Sequence, residues 1–299
     1  MPADIARTTS FTPLSTLESP HQSTNLYLRL CCDRNCQTFV SRQYTAYPFR
    51  LSNAFRLDLK DPNWAYLYIM NTSPGLLAGD KLRVSVQLEV NANLYLTDQS
   101  ATKVHSMPTP DAIAQVFYTI DVGAGAKLEF IPEPLILYAN SRLEQITQVT
   151  IHPTGQLFLS ELILPGRLAR NEFYQFHSYF NHLEVMSPEG ELIFCDAMRL
   201  EGKLNPFKNH FLFATMPVMS NIITVVPSIN LKELVAEIYC FPLLHALKLT
   251  AGNSLLPNCN GLLIRAVADS VTSLKAYTQH ALNCVRRISG QTSLPEIPK

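Results

Sequence analysis

Charge is what this sequence has least of. Its 299 residues include 24 Lys or Arg and 24 Asp or Glu, so the formal net charge is zero and only 16% of residues are charged, against about 25% in an average globular domain. A neutral chain exerts no long-range pull on phosphates or anionic lipid, and its one basic cluster is the pair Arg286–Arg287, so a nucleic-acid or membrane-surface role lacks its electrostatic footprint. Long apolar runs are also missing: no window approaches the roughly 18 residues of a spanning helix. The first 24 residues are rich in Ser, Thr and Pro with no apolar signal segment, and read as a flexible tail. The seven cysteines are odd in number and have no framework spacing, which argues for reduced thiols and a cytoplasmic location. What is abundant is apolar: 47% hydrophobic residues, with 15 Phe and 12 Tyr. A chain of this length can bury roughly three-quarters of its unfolded surface, so general disorder is excluded. Few ionic groups and no net charge also favour association with other protein.

From residue 25 to about 227 the pattern is short runs of period two bounded by Pro, Gly, Asn and Asp, the signature of strands. In KLRVSVQLEV, Leu82, Val84, Val86, Leu88 and Val90 fall on one face and Arg83, Ser85, Gln87 and Glu89 on the other. NLYLRL, FRLDL, WAYLYIM, QVFYTIDV, LEQITQVTI, QLFLSELIL, YQFHSYFNHLEV and ELIFCDAM repeat the theme. With no helical stretch between them, they predict a mostly β, antiparallel-rich body. Beyond residue 228 the period changes. In SINLKELVAEIY, Ser228 can cap a helix carrying Leu231, Leu234, Val235 and Ile238 on one stripe, and a second helix is predicted over about 269–288. GLLIRAVA between them reads as a buried strand. No linker divides residues 25–299, so a single domain is expected.

The common catalytic signatures are missing: there is no G-x-S-x-G, no G-x-x-x-x-G-K-[ST], no H-E-x-x-H and no C-x-x-C. Gly123-Ala124-Gly125 lacks a following helix and reads as a hairpin turn, not a phosphate loop. Cys31, Cys32 and Cys36 are a weak soft-metal candidate, because adjacent strand residues point to opposite faces and free Cys commonly packs as a small hydrophobe. His177 and His182, five apart, are predicted on opposite faces of one strand, and His105 reads as a surface or satisfied histidine. Acidic residues within apolar runs are more informative. Glu129, Glu133 and Glu161 must be paired, hydrogen-bonded or facing water. The structural reading pairs them with Arg142 or Arg167; the functional one places them on a polar channel or interface.

Four blocks in order resemble one family, the urease accessory proteins called UreD or UreH. They are NTSPGLLAGDKL at 71–82, TDQSATKVHS at 97–106, LEFIPEPLILYANSR at 128–142 and SELILPGRLARNEF at 160–173; with GLLIRAVADS the likeness spans roughly residues 25–290. The residues that carry it are Pro74, Gly75, Gly79, Lys103, Pro132, Arg142, Gly166 and Arg167. The first block departs from the family turn, reading Ser73-Pro74-Gly75-Leu76 where the family has Pro-Pro-Gly-Gly, and Glu133 stands where the family has Gln.

The resemblance implies a stacked, β-helix-like arrangement of sheets with two C-terminal helices. It implies a scaffold, not an enzyme, that binds the urease apoprotein and joins UreF and the GTPase UreG so that nickel reaches the urease active site. No tightly bound cofactor is expected, only transient Ni(II). Ni(II) stands high in the divalent affinity order, so a closed Cys and His site would hold it too firmly to release it. Water, carbonyls and scattered carboxylates suit transit better, and Asp80, Glu133, Glu161 and Glu172 are the candidates for a nickel path. Asp80 can instead finish a turn, and Glu172 can pair with Arg167 or Arg170. The C-terminal helices serve packing, partner docking with UreF, or both. Two other readings stay open: an all-β hydrolase using carboxylates such as Glu133 and Glu161, recognised by an open cleft, and an adaptor without a metal passage, recognised by a dry, filled interior.

Overall fold

The computed structural model of the protein describes residues 24–58, 61–202, 210–241 and 247–298. The tail expected at 1–24 therefore lies, up to residue 23, outside the described residues. The described residues form seventeen strands in two sheets. In order they are β1 (Leu26–Cys32), β2 (Thr38–Thr45), β3 (Phe49–Leu51), β4 (Trp64–Asn71), β5 (Lys81–Leu88) and β6 (Asn93–Asp98). They continue with β7 (Thr102–Val104), β8 (Ala114–Val122), β9 (Lys127–Phe130), β10 (Leu135–Leu137), β11 (Arg142–Ile151) and β12 (Gln156–Leu164). The last are β13 (Ser178–Met186), β14 (Leu192–Leu200), β15 (Val218–Val225), β16 (Leu249–Leu255) and β17 (Gly261–Ala268). Among the described residues three α-helices follow the body or interrupt its end: α1 (Phe211–Thr215), α2 (Leu231–Tyr239) and α3 (Val271–Ile288).

The first sheet runs β14-β13-β11-β8-β5-β1-β2 and the second β16-β17-β15-β12-β9-β6-β4-β3. From β4 to β13 the chain passes back and forth between them, β5, β8, β11 and β13 falling in the first sheet and β4, β6, β9 and β12 in the second. Sequence neighbours within each sheet are therefore parallel. A parallel pair needs a long crossover, usually helical; here a strand of the facing sheet serves. This winding fits the stacked, β-helix-like description. It also revises the expectation of antiparallel-rich sheets, because lack of helices forces antiparallel ladders only when consecutive strands share a sheet. Antiparallel pairs are confined to the outer parts of each sheet: β1 with β2, β13 with β14, β3 with β4, and the run β12, β15, β17, β16.

The winding also corrects smaller readings. Gly123–Gly125 links β8 to β9 across the two sheets, so it is an arch between layers and not a hairpin; His152–Gly155 makes the same crossing from β11 to β12. FRLDL contributes only an isolated bridge, Phe55 with Tyr66. The first C-terminal helix is capped by Asn230, whose side chain accepts from the Lys232 amide, and not by Ser228. Ser270 caps α3 by accepting from the Ser273 amide, and Arg286 and Arg287 sit in its last turn, where the helix dipole favours cations.

Three layers result. One core lies between the sheets and gathers Leu82, Val84, Val86 and Leu88 from β5 with Leu94 and Leu96 from β6 and Leu128 and Phe130 from β9. A second core lies on the other face of the second sheet, where Leu234 and Ile238 of α2 and Leu274, Tyr277, Ala281, Leu282 and Val285 of α3 pack on Trp64, Tyr66, Phe158, Ile222 and Ile264. Strands buried on both faces tend to read as continuous apolar runs; β15 (Val218–Val225) is buried along both faces, but Ser220, Asn221 and Thr224 interrupt its apolar run. β5 alternates buried and half-exposed positions because the outer face of its sheet meets solvent.

Candidate functional site: a polar cavity between the sheets

The inter-sheet core is not filled. A cavity of about 110 Å³ crosses it roughly perpendicular to the strands. Its walls draw on β14, β13, β11, β8 and β5 of the first sheet and on β15, β12, β4 and β3 of the second, with the ends of β6 and β9. At about 10–15 Å³ per water, that is room for several waters. The walls are not purely apolar: Asp196, Asn181, Asn221, Gln145 and Glu161 line one end, and Glu133, Asp98, Ser100, Thr102 and Asn71 line the other part.

Glu161 is positioned by parity. Along β12, Leu157, Leu159 and Ile163 face the inter-sheet core, whereas Phe158 and Leu162 face the helices; Glu161 shares the odd register and so points between the sheets. Asn221 lies directly across from it on β15. From the facing sheet come Gln145 of β11 and Asn181 of β13, themselves register partners, and Tyr179, two residues before Asn181 on the same face. Gln145 donates to Oε1 at 3.0 Å, Asn181 and Asn221 donate to Oε2 at 3.0 and 3.1 Å, and the Tyr179 hydroxyl donates to Oε1. What surface Glu161 exposes is turned to the cavity. Burial pushes its carboxyl above the ordinary range, and the four donors pull it back. Among the described residues no cation pairs with it.

Glu133 sits on the cavity wall beside Pro132, and its Oε2 lies 2.5 Å from Lys275 Nζ of α3. The pairing expected with Arg142 or Arg167 is thus replaced by a lysine from the helical layer. Glu129, one residue out of phase with the core residues Leu128 and Phe130, points the other way, into the second core. There Arg286 donates to it from Nε and Nη2 at 2.8 and 2.6 Å, and the guanidinium lies 4.6 Å over the Trp64 ring.

Asp80 and Glu172 are not on the cavity wall. Asp80 closes a turn into β5, its Oδ2 accepting from the Leu77 amide at 2.8 Å, with Gly79 at φ +84° supplying the left-handed step. Glu172 is buried and accepts from Arg167 Nε at 2.7 Å and from the Ala139 amide at 2.5 Å. These residues belong to a cap in which the motif blocks meet. A Cβ at Gly75 would lie 2.4 Å from the Lys103 carbonyl, which accepts from the Leu76 amide at 2.7 Å. A Cβ at Gly166 would lie 1.9 Å from the Glu172 carbonyl. The Pro74 carbonyl meets His105 Nε2 at 3.1 Å, and the Arg167 guanidinium stacks 4.4 Å over Tyr138. Lys103 is exposed, and Arg142 opens β11 opposite Ser178. The motif blocks thus build one end of the body and also supply Asn71, Asp98, Ser100, Thr102, Glu133 and Glu161 to the cavity wall, while Gln145, Asn181, Asp196 and Asn221 come from outside them.

The readings missed at the level of sequence are Asp98, Asp196, Gln145, Tyr179, Asn181 and Asn221. The four uncharged residues, Gln145, Tyr179, Asn181 and Asn221, occupy ordinary strand positions. Only their convergence on Glu161 across two sheets distinguishes them, and no local spacing encodes it. Among the described residues no group of three or more His, Cys, Asp and Glu is placed to hold a metal ion, and no helix is long and apolar enough to cross a membrane. Glu133 and Glu161, the carboxylates considered for a hydrolase, both line the cavity between the sheets.

Comparison with known proteins points the same way as the motif blocks. A family model described as UreD urease accessory protein matches residues 23–299. The urease accessory protein UreD of Trichodesmium erythraeum (strain IMS101) is 49% identical over 275 residues, covering 92% of this chain and 99% of that protein. The UreD of Haloarcula marismortui is 32% identical over 249 residues, 82% of this chain and 79% of its own. That of Photorhabdus laumondii is 29% identical over 274 residues, 90% and 84% of the two chains.

Proposed function

The chain belongs to the UreD urease accessory protein family, and from that premise we propose that it is a cytoplasmic, non-catalytic scaffold for nickel insertion into urease. It binds the urease apoprotein, joins UreF and the GTPase UreG, and lets Ni(II) pass through its body as cargo, without a tightly bound cofactor. A urease maturation role follows from membership. The passage is supported by one observation above the others: the inter-sheet interior holds a polar cavity with Glu133, Glu161, Asp98 and Asp196 on its walls, where an adaptor without a passage needs only a dry core.

Hard oxygen ligands suit a cation that must be released. Carboxylates in a low-dielectric interior attract it strongly over short range, and the water the cavity can hold keeps it hydrated. Asp80 and Glu172 drop out of the path, because their oxygens are committed to a turn and to Arg167. Docking of UreF on the C-terminal helices is compatible with the exposed side of α2, where Tyr239 is half-exposed while Leu234 and Ile238 are buried. The test is urease nickel content in a host whose copy of this chain is replaced by Glu161→Gln or Glu133→Gln. Both variants should lower nickel loading while the complex with the partners still co-purifies. Full urease activation after deletion of the chain would end the maturation role itself.

A further inference from the structure

Glu129, Glu133 and Glu172 are buried or nearly so, and each is neutralised by a tethered cation. Glu129 has Arg286, Glu133 has Lys275 and Glu172 has Arg167, each with a contact of 2.5–2.6 Å. Glu161 differs from these three in being held by neutral donors. When ionised it is therefore an un-neutralised charge facing the cavity, where a burial cost of this kind is ordinarily relieved by pairing. The count of its partners carries a second consequence. An ionised carboxylate has about four lone-pair sites, and Glu161 accepts four hydrogen bonds: Oε1 from Tyr179 and Gln145, Oε2 from Asn181 and Asn221. No strong acceptor position is left for a metal.

We propose that Glu161 is a coordinatively saturated charge: it draws a divalent cation into the passage, but its cage of Tyr179, Gln145, Asn181 and Asn221 prevents it from becoming a direct ligand. This rests on the passage reading above and specifies how the passage avoids trapping its cargo. The ion goes by with its own waters between it and the carboxylate, which the cavity has room to admit. The four cage residues are positioning residues: they hold the charge in place and occupy the lone pairs that would otherwise bind. Their placement is built into the fold, since Gln145 and Asn181 are neighbours in one sheet, Glu161 and Asn221 neighbours in the other, and the two pairs meet across the gap. Lys275 does the corresponding job at Glu133 by another means, with an ammonium that a passing ion must displace.

The inference reverses the usual expectation for a binding-site variant: removing a cage donor should make nickel bind more tightly. In Tyr179→Phe and in Asn221→Ala one lone pair is released. A metal then no longer has to displace a charge-assisted hydrogen bond, so the full-length chain should hold Ni(II) at least about tenfold more tightly than the native chain, a difference of about 1.4 kcal/mol. Equilibrium dialysis against nickel chloride reads this directly, with circular dichroism and gel filtration showing that each variant is folded; the two substitutions lie on different sheets, so one serves if the other does not fold. Glu161→Gln in either background should abolish the gain, and urease nickel loading should fall in the gain-of-binding variants because the ion is retained. If the folded variants bind no tighter than the native chain while Glu161→Gln still lowers nickel loading, the saturation is overturned and the passage stands. A stoichiometric nickel site in the native chain that disappears in Glu161→Gln would also overturn it. If Glu161→Gln and Glu133→Gln both leave loading unchanged, the passage reading falls instead.

Discussion

Glu129 and Glu161 stand on adjacent strands of one sheet, and the fold treats them in opposite ways. β9 and β12 pair in parallel with Glu129 beside Phe158, so Glu129 faces the helical layer and Glu161, of opposite parity, faces the other sheet. On the helical side both partners are buried, Glu129 at 2% and Arg286 at 0% exposure. Burial pushes the Glu129 carboxyl up and Arg286 pulls it back. Burial also works against the charge on Arg286, yet Glu129 and the Tyr66 hydroxyl raise its pKa above the usual arginine range, and with two short bonds between them the pair is ionised. On the other side of the same sheet the carboxylate has amides, a phenol and space. One layer spends its acidic residue on locking α3 to the sheet; the other keeps its charge available.

The strongest way to break this contrast is to remove Arg286. Arg286→Met leaves Glu129 as a buried, unpaired charge and should cost about 3–5 kcal/mol of stability, whereas replacing both partners, Glu129→Leu with Arg286→Met, should recover most of it. Glu161→Gln should cost only about 1 kcal/mol, the scale of a typical hydrogen bond, because cavity water can meet the displaced donors. Urea denaturation of the four proteins measures the difference. Equal losses in Arg286→Met and Glu161→Gln would mean that the two sides of the sheet are not the distinct environments described.

A smaller effect distinguishes the two carboxylates by pH. Burial raises the Glu161 pKa above the 4.5 of an ordinary glutamate. In that case the native state binds more protons than the unfolded chain between the two pKa values, so this residue's contribution is full below about pH 4.5 and is lost as pH rises through the folded pKa. Glu161→Gln does not titrate. Its stability relative to the native chain should therefore improve from about pH 4.5 towards neutrality, at most by a fraction of what Arg286→Met removes. A difference independent of pH would show that the cage holds Glu161 ionised throughout.

Much of the layer structure could be read from the chain alone. Period-two runs located β1, β4, β5, β8, β11, β12, β13 and β14, and GLLIRAVA matches β17 to the residue. The same parity would have separated Glu129 from Glu161, since each shares the face of its neighbours two residues away. What local patterns do not carry is which sheet a strand joins. Nothing in QVFYTIDV or KLEF states that the GAG turn between them changes layers instead of folding back, and that choice decides both ladder direction and which polar residues meet. The motif blocks had a similar limit. They identify the family because Gly75, Gly166 and Arg167 build a cap in which a Cβ or a lost ion pair cannot be accommodated, while Asn181 and Asn221 sit in runs where an Asn signals nothing until the facing sheet is in place.

Cys284 offers a finer probe of the helical layer, next to Val285 in the second core and two residues before Arg286. It is buried, and burial pushes its thiol up to about 11, so at pH 8 only about a thousandth would be thiolate even if reagent could reach it. Cys36, Cys195 and Cys240 are exposed. Iodoacetamide at pH 8 followed by peptide mass spectrometry should find these three modified while Cys284 stays free. Labelling of Cys284 then reports opening of the α3 layer, whose rate under fast reclosing follows the stability of that layer. Arg286→Met should speed it by about a hundredfold or more, the factor that 3 kcal/mol represents, and Glu161→Gln should change it by less than about tenfold. If both variants accelerate Cys284 labelling equally, the two faces of the second sheet open as one unit, and the division of labour between Glu129 and Glu161 would be chemical without being mechanical.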